Sequence, residues 1–152
     1  MRFRDNGLLG PLSIAAVTAK KDNTDAMKIE FLPERAQACP LIRLFAYKPG
    51  EVARLRRACR DLADGQIAEF VLHDQPWVER VADCRFIWRA SSEDRGVVLP
   101  ALGSPFVLEF SDEAWREVED KLLPFAEDSG GDFTWLTNEG DVNVLISESG
   151  QW

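Results

Sequence analysis

The chain has 152 residues, 45% hydrophobic and 29% charged, with 26 acidic and 18 basic side chains that give a formal net charge of -8. That composition belongs to a globular domain with its own core and excludes a disordered or wholly membrane-embedded chain. From Ser111 onward there are 11 acidic residues against two basic ones, a surface that repels phosphate backbones and argues against a nucleic-acid partner.

Residues 1–26 differ from the rest. Arg2 and Arg4 precede an apolar stretch from Leu8 to Ala19, which resembles part of a leader, but Asp5, Asn6, Gly10 and Pro11 interrupt it. We read 1–26 as an N-terminal extension and 27–152 as a single α+β domain. No other run approaches the length of a membrane span, and the expected location is cytoplasmic. Three widely spaced cysteines, Cys39, Cys59 and Cys84, contain no CxxC pair, so they are read as reduced thiols rather than a disulfide framework or a zinc site.

Lys28 to Leu32 alternates polar and apolar residues and is stopped by Pro33, the pattern of a short strand. Leu41 to Tyr47 follows as a stronger one. Its Ile42, Leu44 and Ala46 form an apolar face, and Arg43, Phe45 and Tyr47 a mixed face. Pro49 suits the first turn of a helix, which runs to about Ala63 with Val52, Leu55, Cys59 and Leu62 inward and Arg54, Arg56, Arg57 and Arg60 largely outward; Gly65 ends it. Strands are expected at Ile67 to Leu72, Cys84 to Ala90 and Gly96 to Pro100, with a polar turn around Asp74 to Pro76.

Pro105 to Leu136 is the best-defined stretch. Phe106, Leu108 and Phe110 alternate as a strand, Ser111 offers an N-cap, and Asp112 and Glu113 complement the helix dipole. Trp115, Val118, Leu122 and Ala126 form the apolar stripe. Pro124 should kink or stop the helix, and Gly130 with Gly131 should end it. Asp132 to Leu136 and Val142 to Ser147 then make a hairpin. Because Pro40 to Leu72 and Pro105 to Leu136 share an order of events, the chain carries the signature of a pseudo-repeat of a strand-helix-strand-strand unit. The expected fold is an antiparallel or mixed sheet of six to eight strands with two helices packed on one face, leaving the other face open.

Motifs for chemistry are sparse. One histidine excludes a multi-histidine zinc site, and no GxSxG elbow, Walker A loop or GxGxxG fingerprint is present; no metal or cofactor is expected. His73 with Asp74 is the only pair suited to acid or base work near neutral pH, and it carries the alternative reading of a small hydrolase or transferase. The leading expectation is a non-catalytic binding protein. Its surface would be the open sheet face, through Arg43, Phe45, Tyr47, Arg85 and Arg89 beside Glu69, Val71 and Ile87, or the acidic C-terminal part, and its partner a protein or small ligand. Trp152 should dock into the domain or into a second subunit, which would make a homodimer.

Overall fold

The structure is a computed structural model that describes residues 26–33, 40–129 and 131–152. The N-terminal segment 1–25, Cys39 and Gly130 lie outside the described residues. Among the described residues, nine strands and two α-helices follow in the order β1 (Met27–Leu32), β2 (Leu41–Phe45), α1 (Pro49–Ala63), β3 (Glu69–Val71), β4 (Val78–Arg80), β5 (Phe86–Ala90), β6 (Gly96–Val97), β7 (Phe106–Phe110), α2 (Asp112–Ala126), β8 (Phe133–Thr137) and β9 (Asn143–Ser147).

The helices form where the apolar spacing puts them. Val52, Leu55, Cys59 and Leu62 are buried on α1, and Trp115, Val118 and Leu122 on α2, joined there by Phe125. Glu51 accepts the Lys48 amide at 2.9 Å and closes the first turn of α1, while Ser111 Oγ accepts the Ala114 amide to cap α2. Gly65 ends α1 at a φ of 75°, with the Gln66 amide returning to Asp61 O at 2.8 Å, the geometry of a glycine stop. The end of α2 departs from expectation. Asp128 (φ 58°), not a glycine, takes the left-handed position, and the Ser129 amide bonds Pro124 O at 2.7 Å. Pro124 stands within the last turn, and the helix closes two residues beyond it.

The expected single sheet is instead two sheets, of five and four strands, in the orders β4-β1-β2-β9-β8 and β3-β5-β7-β6. Long-range parallel pairing is the reason. β2 runs parallel to β9, with Leu41 opposite Asn143 and Phe45 opposite Ser147. β5 runs parallel to β7, with Phe86 opposite Phe106 and Ala90 opposite Phe110. Each half of the chain therefore gives one strand to the centre of both sheets, flanked by its own antiparallel neighbour: β1 on β2, β3 on β5, β6 on β7 and β8 on β9. The connections cross over as well. β4, in the β3 to β5 connection, pairs with β1, and Val142, in the β8 to β9 connection, bridges Val97. Neither half can complete a sheet without the other.

The helices pack against each other, and both touch the four-stranded sheet. Their contact with each other is the most extensive between any two elements, and α1 also touches β3 and β5 while α2 touches β7 and β8. Asp64 meets Arg116 and Arg56 meets Glu119, so the helices are antiparallel. One continuous core gathers Ile29, Leu44, Leu55, Trp88, Leu108, Trp115 and Ile146 from both sheets and both helices. Trp88 and Trp115 stack there with centroids 5.2 Å apart. Further strand boundaries also shift: β2 stops at Phe45 because Ala46 turns to a φ of 57°. The strand expected from Gly96 to Pro100 ends at Val97, leaving Val98 and Leu99 exposed.

Candidate functional site

A groove of about 590 Å³ opens along α1, walled on one side by Arg54, Arg56, Arg57 and Arg60 and on the other by Ile67, Phe70, Gln75 and Trp77. The helix repeat places the arginines, since positions three and four apart share a side of α1. The opposite wall comes from Phe70 of β3 and from Gln75 and Trp77 in the segment that leads into β4. The pairing of β4 with β1 and the Met27 amide bond to Trp77 O at 3.1 Å hold the indole beside the helix. Arg54 lies over the Trp77 ring at 5.7 Å, and Phe70 sits 6.5 Å from it.

The four guanidiniums are not equivalent. Arg56 and Arg60 converge on Glu119 of α2, at 3.3 and 2.7 Å, and the carboxylate beside Arg60 pushes the guanidinium's pKa up. Arg54 and Arg57 have no carboxylate or hydrogen-bond partner among the described residues; Arg54 has only the indole face. Like charges three residues apart on a helix oppose folding slightly, and among the described residues that line the groove only Asp61 is acidic. In a chain of net charge -8, this is a local reversal of sign. Guanidiniums facing an aromatic wall can hold an anionic group with forked hydrogen bonds while the rings cover an attached flat apolar group.

The residues singled out in the sequence are distributed differently. Arg43 and Phe45 lie in the five-stranded sheet and Arg89 in the four-stranded one, while Arg85 immediately precedes β5 and Tyr47 lies beyond the end of β2. They do not form one face, because the sheet expected to carry them is two. Arg43 binds Glu30 at 2.6 Å, donates to Gly150 O at 2.7 Å and stacks on Phe45 at 4.4 Å. Arg89 bridges Glu69 and Glu109 at 2.9 and 3.2 Å, and Arg85 donates to Gly103 O. Tyr47 packs edge-on against Phe125, and burial, with Glu148 and Asp128 adding negative charge, pushes its hydroxyl up to about 12. Each of these arginines already has an acceptor within the chain. The outer side of β2 and β9 is also partly roofed: residues 148–151 fold back over it, and Leu145 is fully buried.

His73 serves the fold. The Phe86 amide donates to its Nδ1 at 3.0 Å, and the same nitrogen lies 3.3 Å from Phe86 O, which ties the turn after β3 to β5. Nε2 lies 3.9 Å from Asp74 Oδ1, beyond hydrogen-bond distance, and the side chains are 12% and 73% exposed. Cys59 and Cys84 are buried, and burial raises both thiol pKa values, Cys84 to about 12 and Cys59 well above its ordinary value, so neither is a ready nucleophile. Among the described residues no group of three or more His, Cys, Asp or Glu side chains could hold a metal ion, and no helix is long and apolar enough to cross a membrane.

Compared with protein-family models, with curated proteins and with solved structures, the chain has no significant match. Sequence reasoning assigned the α1 arginines to solvent; the signal that marks them is four arginines within Arg54 to Arg60 of an acidic chain.

Proposed function

We propose that the chain is a binding module, with no catalytic step of its own, that holds a small anion bearing a flat apolar group in the groove between α1 and the Phe70 to Trp77 wall. The observation that carries this reading is that Arg54 and Arg57 face the groove beside Trp77 without carboxylate partners among the described residues. Arg43 and Arg89, by contrast, are matched to acidic residues, which favours the groove over the sheet faces as the place where a ligand is taken.

Anilinonaphthalene sulfonate is a suitable probe, because it joins a sulfonate to fused rings, and phenylnaphthylamine is its neutral counterpart. The native protein should bind the sulfonate and not the neutral compound. Arg54→Ala and Arg57→Ala should each weaken it by about fivefold, the equivalent of ~1 kcal/mol for a partly exposed charged contact, and added salt should do the same. Equal binding of both probes, or unchanged sulfonate binding by the double variant, would defeat the reading.

A further inference from the structure

A second cleft, of about 320 Å³, lies across the five-stranded sheet from β4, between the start of β8 and the chain after β9, lined by Asp132, Phe133, Glu148 and Trp152 among others. Phe133 and Trp152 are 38% and 40% exposed, so two large aromatic surfaces face water at one place. Phe133 is itself braced edge-on by Trp135 at 6.2 Å. Among the described residues, no cation pairs with Asp132 or Glu148. The charge is felt locally, since Glu148 and Asp128 contribute to the raised pKa of Tyr47.

The cleft is held in shape by the backbone. Ser147 Oγ accepts the Gly150 amide at 3.0 Å and donates to Gln151 O at 2.8 Å, Arg43 donates to Gly150 O at 2.7 Å, and the Ala46 amide bonds Glu148 O at 3.1 Å. Arg43 is thus a positioning residue for the segment that carries Trp152.

We propose that this cleft is a second binding site, separate from the arginine groove, that takes a compact organic ammonium group against the faces of Phe133 and Trp152 with Asp132 and Glu148 balancing its charge. Aromatic faces attract cations through their ring quadrupole, and a quaternary ammonium loses less hydration than a bare ammonium when it is enclosed by rings. Two aromatics with two carboxylates that have no cation partner among the described residues provide both components, and an anion would be repelled.

The test uses choline as probe and dimethylbutanol, its neutral carbon isostere, as control, with titration calorimetry on the full chain. Choline should bind, and the isostere should bind at least about tenfold more weakly. Trp152→Leu should weaken choline by roughly 2- to 30-fold, the span of cation-π contacts, and Asp132→Asn with Glu148→Gln should weaken it without changing the near-ultraviolet circular dichroism. Arg54→Ala should leave choline binding unchanged, which keeps this result distinct from the fate of the anion groove. A trimethyllysine peptide binding more tightly than choline assigns the ammonium to a partner's side chain, and weaker or equal binding assigns it to a small molecule; both uphold the site. No binding of choline, equal binding of the isostere, or full affinity in the Trp152 and paired carboxylate variants would overturn it.

Discussion

Replacing Glu119 separates what holds the helices together from what the groove binds. Its carboxylate lies between Arg56 and Arg60, and Glu119→Gln keeps the size of the side chain while removing its charge. The Arg56 and Glu119 side chains are 21% and 14% exposed, so the pair lies between a surface ion pair, worth about 0.2–1 kcal/mol, and a buried one, whose disruption costs about 3–5 kcal/mol. Arg56 keeps its bond to the Glu119 carbonyl at 3.1 Å, which places the cost for this pair near ~1 kcal/mol and the fall in melting temperature near ~2–4 °C for a domain of this size. Affinity for the aromatic sulfonate should move the other way. One negative charge at the edge of the groove is gone and two guanidiniums are freed, which should strengthen binding by about two- to fivefold at low salt. Urea unfolding and fluorescence titration on the same preparation read the two quantities. Loss of stability together with loss of affinity would refute the reasoning, because it would make Glu119 a support of the site rather than a competitor for its arginines.

Three further outcomes follow from particular contacts. Gly140→Ala should destabilise by about 3 kcal/mol, from a left-handed alanine and disturbance of the bonds that Asp141 N and Val142 N make to Val97 O. A side chain at Gly140 would meet Val97 O at 2.5 Å. Gly65→Ala, with a similar φ of 75° and nothing within 4 Å, should cost only ~1 kcal/mol; equal losses in urea melts would contradict the close approach. Trp115→Phe should cost ~1 kcal/mol more than Trp88→Phe, because Trp115 Nε1 donates to Arg89 O at 3.2 Å, whereas Trp88 Nε1 has no acceptor among the described residues; equal losses would contradict that difference. The single tyrosine makes an ultraviolet titration of Tyr47 direct. Its folded value of about 12 exceeds the ordinary 10.0, so its stabilising contribution is full below the unfolded value and is lost as pH rises through the folded one. Glu148→Gln should lower the midpoint but leave it above the ordinary value, because burial is the largest cause; a midpoint at the ordinary value would reverse that ranking.

What could be read in the sequence was local. The periodicity of Val52, Leu55, Cys59 and Leu62, the Ser111 cap and the hairpin of β8 and β9 each depend on residues within a few positions, and each forms as read. β4 was missed because it has three residues and one buried side chain, Val78, directly after a proline turn; such an edge strand exists only because β1 is there to pair with it. The division into two sheets was equally hidden, since β2 and β9 come from opposite ends of the described fold and their parallel register depends on tertiary packing. The same cause obscured the groove. The arginines of α1 were visible, but Trp77 comes beside them only through β4, and Glu119 through the packing of α2.

The exchange of strands between halves supplies an internal control on the anion groove. α1 and α2 are both 15 residues long and are followed by a hairpin that enters the other half's sheet. At the sixth and ninth positions α1 has Arg54 and Arg57, and α2 has Glu117 and Asp120. A hollow against α2 is lined by Asp94, Glu117, Lys121, Leu136, Asn138 and Glu139 among others, and its volume is about 280 Å³ against 590 Å³. It has Asn138 and Glu139 in the turn, where the first groove has Gln75 and Trp77. Two helices of equal length therefore carry opposite charges at their sixth and ninth positions, so a helix of this length does not by itself require arginines there. Helix stability does not require them either, because the acidic helix has the same length and an equivalent buried stripe. What distinguishes the first groove is a pair of guanidiniums, unmatched by any carboxylate among the described residues, beside an indole, and that combination suits recognition of an anion attached to a flat ring.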